Sequence, residues 1–210
     1  MVTDLSARAK DIASMVPYWD KVDAIVEGYE AVKALGKEML PKFPDETEAE
    51  YKFRLDNSKF TNIYRDVLEG LATKPFEEEV SLIRDEEAEL PEDIVDFVED
   101  VDGSGNNLTM FAALTFFNGI NFAIDWIFVD YPTVLDAPVL TLADAKAMNL
   151  KPFWTHVLAK NVLEVRTDVI GSKEVISYIR ILEPAINDKP ERVRIFERSA
   201  DSVVLRPPVS

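Results

Sequence analysis

Apolar residues near the start of the chain recur at the spacing of an amphipathic helix. From Tyr18 to Leu40 they fall three or four positions apart, which places them on one helical face. This face contains Val22, Ile25, Val26, Tyr29, Val32, Leu35 and Met39. Gly36 and the Leu40-Pro41 pair mark the end of the helix. The pattern then predicts two shorter helices, over residues 46–55 and 59–72.

The middle of the chain has a helix of a different kind. Asn107 is a suitable N-cap for a helix from Leu108 to Ile124, and that helix is apolar on almost every side. Such a helix is either buried or part of an interface. The next apolar run, Trp126–Tyr131, is typical of a buried strand, and a short helix is expected before it, over 92–98.

After Pro152 the apolar period changes to two, which is the period of a β-strand. Turn signals such as Gly171-Ser172 separate five short runs of this kind. The runs are 153–157, 162–169, 175–182, 193–196 and 203–205. The sequence therefore predicts an α+β fold, in which an N-terminal helical portion is followed by a small antiparallel β-sheet.

Charge divides the chain further. The net charge is −16, and residues 77–102 hold thirteen acidic side chains against one basic one. A like-charge block is typical of a solvated connector, and the alternative is a surface that keeps nucleic acid from adhering. We therefore expect an N-terminal helical region over 1–76, an acidic connector over 77–102 and an α+β portion over 103–210.

The search for catalytic or metal-binding residues finds only partial patterns. Asp100, Asp102 and Ser104 match the first half of a calcium loop, but Phe111 stands where the closing acid belongs. We interpret this segment as a turn, and cation binding there stays an open alternative. His156 is the only histidine and there is no cysteine, so neither a zinc set nor a cysteine dyad is available.

Two carboxylates flank the apolar strand, Asp125 before it and Asp130 at its end. Their spacing of five places them on opposite faces, which favours roles as caps or ion-pair partners over acid–base catalysis. His156 is interpreted as a structural residue. With no glycine-rich phosphate loop either, the sequence predicts no enzymatic activity, no cofactor and no catalytic metal.

Several residues are candidates for contacts between subunits. Arg54 and Arg65 have acidic neighbours, so they form either surface ion pairs within their helices or salt bridges to another subunit. Aromatic side chains are either core or interface anchors. The candidate set consists of Val22, Ile25, Tyr29, Val32, Arg54, Arg65, Phe111 and Phe116.

Short motifs in a fixed order carry a resemblance to a known family. They are Tyr51-x-x-Arg54, Phe60 with Asn62, Lys74-Pro75, the Asp-Gly-x-Gly turn Asp102–Gly105, Leu108 with Phe111, Val129–Pro132, Lys151–Trp154 and Asn161–Leu163. In this order they resemble the N-terminal half of tailed-phage and prophage portal-type proteins. The resemblance spans roughly Tyr18 to Leu205.

The resemblance implies a wing-like portal fold and a ring of identical subunits, usually twelve, at one vertex of a virion capsid. DNA passes through such a ring without sequence-specific binding, and assembly takes place in the host cytoplasm. The implied partners are the terminase large subunit, a head–tail adaptor and the capsid protein, with no membrane. Portal-type proteins are much longer, so we expect this chain to be the wing-side part, either as a fragment or from a truncated gene.

Two other functions remain open at this point. One is a monomeric scaffold or adaptor module of a virion. The other is an acidic enzyme that uses Asp125 or Asp130. On the portal hypothesis, we expect the isolated chain to associate weakly, as a monomer or a small oligomer.

Overall fold

The structure is a computed structural model that describes residues 4–82, 90–132, 141–148, 150–185, 190–198 and 203–209. The helices are α1 (Lys10–Glu27), α2 (Tyr29–Ala34), α3 (Glu48–Asn57), α4 (Ile63–Thr73), α5 (Glu92–Glu99), α6 (Leu108–Phe122) and α7 (Leu142–Ala147). The strands are β1 (Trp126–Asp130), β2 (Phe153–Val157), β3 (Val162–Ile170), β4 (Lys173–Glu183), β5 (Arg192–Arg198) and β6 (Val203–Val209). The predicted α+β fold is confirmed, since helices dominate the first part and antiparallel strands the last.

The long helix predicted over residues 18–40 is wrong in its extent. Helix α1 begins earlier, at Lys10, and continues through Pro17 to Glu27. At Gly28 the backbone turns to φ 117°, a conformation that only glycine adopts readily, and the helix ends there. A new helix, α2, starts at the next residue. The apolar spacing runs on across this break, because it records which face is buried and not whether the helix is continuous.

Hydrogen bonds from side chains define where the next two helices begin. Thr47 caps α3 in a reciprocal arrangement: its hydroxyl oxygen accepts from the N–H of Glu50, and the Glu50 carboxylate accepts from the N–H of Thr47 at 2.8 Å. Helix α4 starts after Asn62, whose side-chain oxygen accepts from the N–H of Arg65 at 3.0 Å. These caps move both helix starts a few residues beyond the predicted ones.

The strands form two separate sheets. Strands β3, β4, β5 and β6 follow each other in an antiparallel sheet of four. Strand β2 has the predicted bounds, but it pairs with β1 and not with the other C-terminal strands. The prediction of one sheet was therefore incomplete, because alternation within a strand does not record which partner the strand selects.

The chain divides into two compact units. Unit 1 combines Met1–Leu68 with Leu158–Ser210, and unit 2 is the single stretch Glu69–Val157. This division differs from the three consecutive portions expected from the sequence. The reason is that the N-terminal segment forms hydrogen bonds to the C-terminal sheet. For example, the N–H of Ala9 donates to the carbonyl of Leu163 at 2.8 Å.

Unit 1 has a core on its four-stranded sheet, which holds the N-terminal segment through one arginine. Leu163, Val193 and Ile195 are buried together. Beside them, Arg180 is only 7% exposed. Its guanidinium donates to the backbone carbonyls of Leu5 and Ala7 and forms an ion pair with Glu164 at 2.8 Å. A buried charge is tolerated in a protein when it is paired and fully hydrogen-bonded in this way.

Unit 2 has its core where α6 begins. Val101, Leu108 and Phe111 are buried, and Trp154 of β2 packs against them with its ring centroid 5.6 Å from that of Phe111. Phe97 contacts the other side of the same indole at 5.3 Å. Val101, Leu108, Phe111 and Phe97 therefore share Trp154 as a packing partner in the core of unit 2.

The prediction of a buried strand at β1 was wrong, whereas α6 was expected to be either buried or part of an interface and is not buried on all sides. Helix α6 buries only one side, while Met110 and Leu114 are 58% and 47% exposed. Strand β1 alternates in burial, and Ile127 and Val129 are 47% and 58% exposed. At fifteen residues α6 is also short, and none of the helices in the described ranges has the length and apolar content needed to cross a bilayer.

We expect the Arg180→Met variant to lower the free energy of unfolding by about 3–5 kcal/mol, because it leaves Glu164 without its buried partner. Arg166→Ala is the matched control, since Arg166 binds the same carboxylate from a side chain that is 61% exposed. The control should cost about 1 kcal/mol or less. Urea unfolding followed by circular dichroism measures both, and equal losses would contradict the assignment of Arg180 as the buried tie.

Candidate functional site

A histidine and an aspartate meet at one end of the β1–β2 ladder. The antiparallel register places His156 opposite Ile127, and Asp125 immediately precedes β1. The Nε2 atom of His156 lies 2.5 Å from Oδ2 of Asp125. An ionised carboxylate only accepts hydrogen bonds, so opposite an ionised Asp125 the hydrogen belongs on Nε2. The side chains are 16% and 6% exposed, which makes this a largely buried polar pair.

The second oxygen of Asp125 is unsatisfied. Oδ1 is buried and has no hydrogen-bond partner among the residues that the structure describes. A buried acceptor without a partner costs about 1–3 kcal/mol. Native structures rarely retain such an atom unless a water, an ion or a ligand satisfies it or it has a functional role. Asp125 is therefore the most informative polar side chain in unit 2.

Asp125 also lines an open apolar cleft of 570 Å³. The walls come from one face of α6, from Ile127 of β1 and from Phe76. Besides these and Asp125, the lining consists of Ala112, Thr115, Phe116, Gly119 and Ile120. These helix positions recur at three and four residues and so share one face. The cleft has the character of a binding site, with mostly apolar walls and one convergent charged group.

The chemistry available to this pair is limited. A histidine oriented by a carboxylate is the base and positioning half of a catalytic triad, which still needs a nucleophile. The hydroxyl in the cleft, on Thr115, lies within 3.1 Å of the carbonyls of Phe111 and Ala112 and donates to the helix backbone. Asp130 accepts from the N–H of Tyr131 at 2.8 Å, as an acid at a strand end does. The geometry thus favours binding over catalysis at Asp125.

The segment that matches half of a calcium loop is held by its own hydrogen bonds. Oδ1 of Asp100 accepts from the N–H of Gly105 at 3.0 Å, and Oδ1 of Asp102 accepts from that of Ser104 at 2.9 Å. Asn106 donates its side-chain amide to the other oxygen of Asp102 at 2.6 Å. Within the described part of the chain, no group of three or more metal-binding side chains is arranged to hold an ion. These oxygens close the turn before α6.

The pKa of Asp102 reflects this arrangement. Burial alone would raise the pKa, but the hydrogen bonds from Asn106 and from the N–H of Ser104 outweigh it and hold the pKa below its ordinary value. The turn is therefore stabilised while Asp102 is ionised. This stabilisation is present above the ordinary pKa of an aspartate and is lost as the pH falls through the lower folded-state pKa.

The predicted contact residues of the first helices lie in unit 1. Val22 and Ile25 belong to α1, Tyr29 and Val32 to α2, and all four are half-buried. The hydroxyl of Tyr29 donates to the carbonyl of Ser58 at 3.2 Å. Part of this face is thus already covered within the chain.

Arg54 binds within its own chain. Its guanidinium forms two parallel hydrogen bonds of 2.8 Å to the carboxylate of Glu46 and a third to the carbonyl of Pro41. It also stacks on the ring of Phe43 at 4.5 Å. The hydrogen bonds from Arg54 lower the pKa of Glu46 to about 2. These contacts fasten the loop before α3.

Arg65 and Asn62 close the end of α1. The Asn62 amide donates to the carbonyl of Ile25, and the guanidinium of Arg65 donates to the carbonyl of Val26 at 3.3 Å. Gly28 ends α1 just beyond these carbonyls, which then need other donors. Both side chains therefore join α4 to α1 within unit 1.

The two phenylalanines of the candidate set have different positions. Phe111 is 2% exposed and belongs to the core of unit 2, which removes it from the surface. Phe116 is 42% exposed and lines the cleft beside Asp125, with its ring edge-on to Phe76 at 5.7 Å. The structure brings Phe116 and Asp125 together, and the sequence had not connected them.

The pairing of Asp125 with His156 was also missed. The sequence interpretation compared Asp125 with Asp130, because both flank one strand. The signal that could have revealed the pair was present, since both β1 and β2 were predicted strands. Antiparallel pairing of these two strands places His156 at the end where Asp125 stands.

No protein-family model matches this chain, and no curated protein sequence matches it.

We expect the Asp102→Ala variant to lower the free energy of unfolding by about 1–2 kcal/mol, because it removes the acceptor for three donors of the turn. Calcium at about 5 mM, above the dissociation constants of weak protein sites, should leave the melting temperature of the unmodified protein unchanged. Asp168→Ala, on an exposed position of β3, is the control and should change stability by about 0.5 kcal/mol or less. A calcium-dependent rise in melting temperature that Asp102→Ala abolishes would instead reveal a cation site.

Proposed function

We propose that this chain forms the wing-side part of a subunit of a phage portal, a ring at one capsid vertex through which DNA is packaged and ejected. The observation that supports the proposal is the position of the motif residues that carry the resemblance. Several of these residues, such as Tyr51 and Trp154, are buried or half-buried, while others, such as Pro75 and Gly103, are exposed.

In unit 2 the motifs meet around Trp154. Its backbone N–H donates to the carbonyl of Val101, which precedes the Asp-Gly-x-Gly turn, at 2.7 Å. Its indole contacts Phe111 of the following helix, and its strand partner is Val129 of the Val-Asp-Tyr-Pro segment. Lys151, from the same motif as Trp154, donates to the carbonyl of Asp96. Four of the motifs are thus parts of one packing arrangement.

In unit 1 the motifs join the helices. Arg54 of the Tyr-x-x-Arg motif clasps the loop before α3 through Glu46. Asn62 both caps α4 and donates to the carbonyl of Ile25 at the end of α1. Arg54 and Asn62 thus each connect two segments of unit 1.

The charge distribution suits a conduit for DNA. Residues 69–157 hold eighteen acidic side chains and four basic ones, which accounts for −14 of the net −16. A surface with this excess repels phosphates and does not neutralise them. A protein past which DNA must move needs such a surface, because tight binding would arrest the DNA.

An exposed apolar face on α6 is suited to contact between subunits. Met110 and Leu114 lie one helical turn apart, on a different side from the cleft-lining residues, and both are about half exposed. A ring closes through heterologous contacts, in which this face meets a different patch on the neighbour. On this proposal the terminase large subunit, a head–tail adaptor and the capsid protein bind the completed ring in the virion.

The proposal is tested with a photo-crosslinker in place of Leu114. We expect a crosslinked dimer whose second attachment point, mapped by mass spectrometry, is a patch other than the α6 face, as a heterologous contact requires. Sedimentation of the unmodified chain should show a monomer or a small oligomer, and electron microscopy of assembled particles should show the rings.

The control replaces Ile170 instead, a residue 52% exposed at the β3–β4 turn in unit 1. Crosslinking from position 114 back to position 114 would indicate a two-fold dimer and would contradict the ring. A complete lack of self-crosslinking at high concentration would favour the alternative function, a monomeric scaffold or adaptor module.

A further inference from the structure

Helix α6 carries three faces that differ in their surroundings. Phe111 and Phe122 are buried, Met110 and Leu114 are exposed, and a third face forms the wall of the cleft beside Asp125. At 3.6 residues per turn these faces point in different directions, so the cleft is separate from the face proposed for subunit contact. The cleft therefore needs an explanation of its own.

The cleft combines apolar walls with a carboxylate that lacks a donor. The side chain of Asp125 is 6% exposed, and His156 occupies Oδ2. Oδ1 has no hydrogen-bond partner among the described residues. A neutral ligand without a donor leaves this oxygen unsatisfied, whereas an N–H group of a cation satisfies both its hydrogen bond and its charge.

The surrounding charge selects the same kind of ligand. Unit 2 is strongly acidic, and its field attracts cations and repels anions. A ligand that fits must be apolar along most of its length and cationic at its tip. The side chains of lysine and arginine have this form, since an aliphatic stem carries the charged head.

We propose that the cleft binds a lysine or arginine side chain from a basic segment of another protein. The stem packs against Phe116, Ile120 and Ile127, and the charged head donates to Oδ1 of Asp125. The partner is taken to be a different polypeptide with a basic segment, because unit 2, with eighteen acidic side chains against four basic ones, attracts a positively charged chain. The inference does not depend on ring formation.

Access to Oδ1 requires a small rearrangement. The atom itself is covered, while Phe116 and Ile120, which line the cleft together with Asp125, are 42% and 37% exposed. Rotamer changes of interface side chains on binding are common, and satisfying the buried carboxylate offsets their cost. On this proposal the cleft-lining side chains change rotamer as the basic side chain enters.

The probe is an acetylated and amidated peptide with the sequence Ala-Leu-Lys-Leu-Ala. It is titrated into the protein, and binding is followed by NMR through the amide resonances of the cleft residues. The matched peptide has norleucine in place of lysine, which keeps the stem and removes the charge. We expect the lysine peptide to bind at least about tenfold more tightly, as a charged hydrogen bond to a buried carboxylate provides. Asp125→Asn should abolish this difference, and Asp130→Asn, at the other end of β1, should retain it.

A second variant tests the cleft without altering the carboxylate. A Cβ atom built on Gly119 would lie 4.0 Å from Cβ of Asp125, an ordinary contact, so a side chain at this position extends into the cleft. Gly119→Leu should weaken binding of the lysine peptide by at least about tenfold while the protein stays folded. This variant keeps the test decisive if Asp125→Asn fails to fold.

Several results would overturn the inference. Equal affinity for the lysine and norleucine peptides would show that Asp125 recognises no cation, and resonance changes outside the cleft would place binding elsewhere. Hexylammonium binding as tightly as the peptide would indicate a small-amine site and not a docking site for a protein. Loss of self-association in Asp125→Asn, measured by sedimentation, would identify the occupant as a second copy of the chain.

Discussion

The pairing of β1 with β2 is the constraint on which unit 2 depends. These two strands are separated by more than twenty residues of sequence, and their antiparallel ladder brings the two ends of that stretch together. One consequence is the core, because the ladder delivers Trp154 to Val101 and Phe111. Another is the polar pair, because the same register delivers His156 to Asp125. A shift of the β1–β2 register by one residue would turn Trp154 and His156 to the opposite face of the sheet. The core packing and the polar pair would then both be lost.

Local features of the fold follow from the sequence, and long-range ones do not. Asn107 was predicted as the N-cap of α6, and its side chain accepts from the N–H of Met110 at 2.9 Å. The bounds of β2 were also predicted correctly, since both signals lie within a few residues of the element they define. By contrast, the selection of β1 as the partner of β2 depends on packing around Trp154, which no local pattern records.

In the candidate site, too, contacts between distant residues could not be predicted from the sequence. Arg54 was expected to pair along its own helix or with another subunit, but its partner Glu46 lies eight residues earlier, before α3 begins. Helical spacing rules cover neighbours three or four residues apart and do not reach this geometry. The unsatisfied oxygen of Asp125 is still less accessible to sequence reasoning, because it is a property of the complete packing and not of a residue type.

The two-part composition of unit 1 has a consequence for biosynthesis. Arg180 must find the carbonyls of Leu5 and Ala7 across more than 170 residues, so unit 1 closes only after most of the chain has left the ribosome. Unit 2 is continuous in sequence and has all of its partners available earlier. Since domains generally fold as units during synthesis, we expect unit 2 to fold before unit 1 is complete. Until the strands of the sheet have been synthesised, the segment that leads into α1 has no partner for its bond to Leu163, and this interval exposes the nascent chain to aggregation.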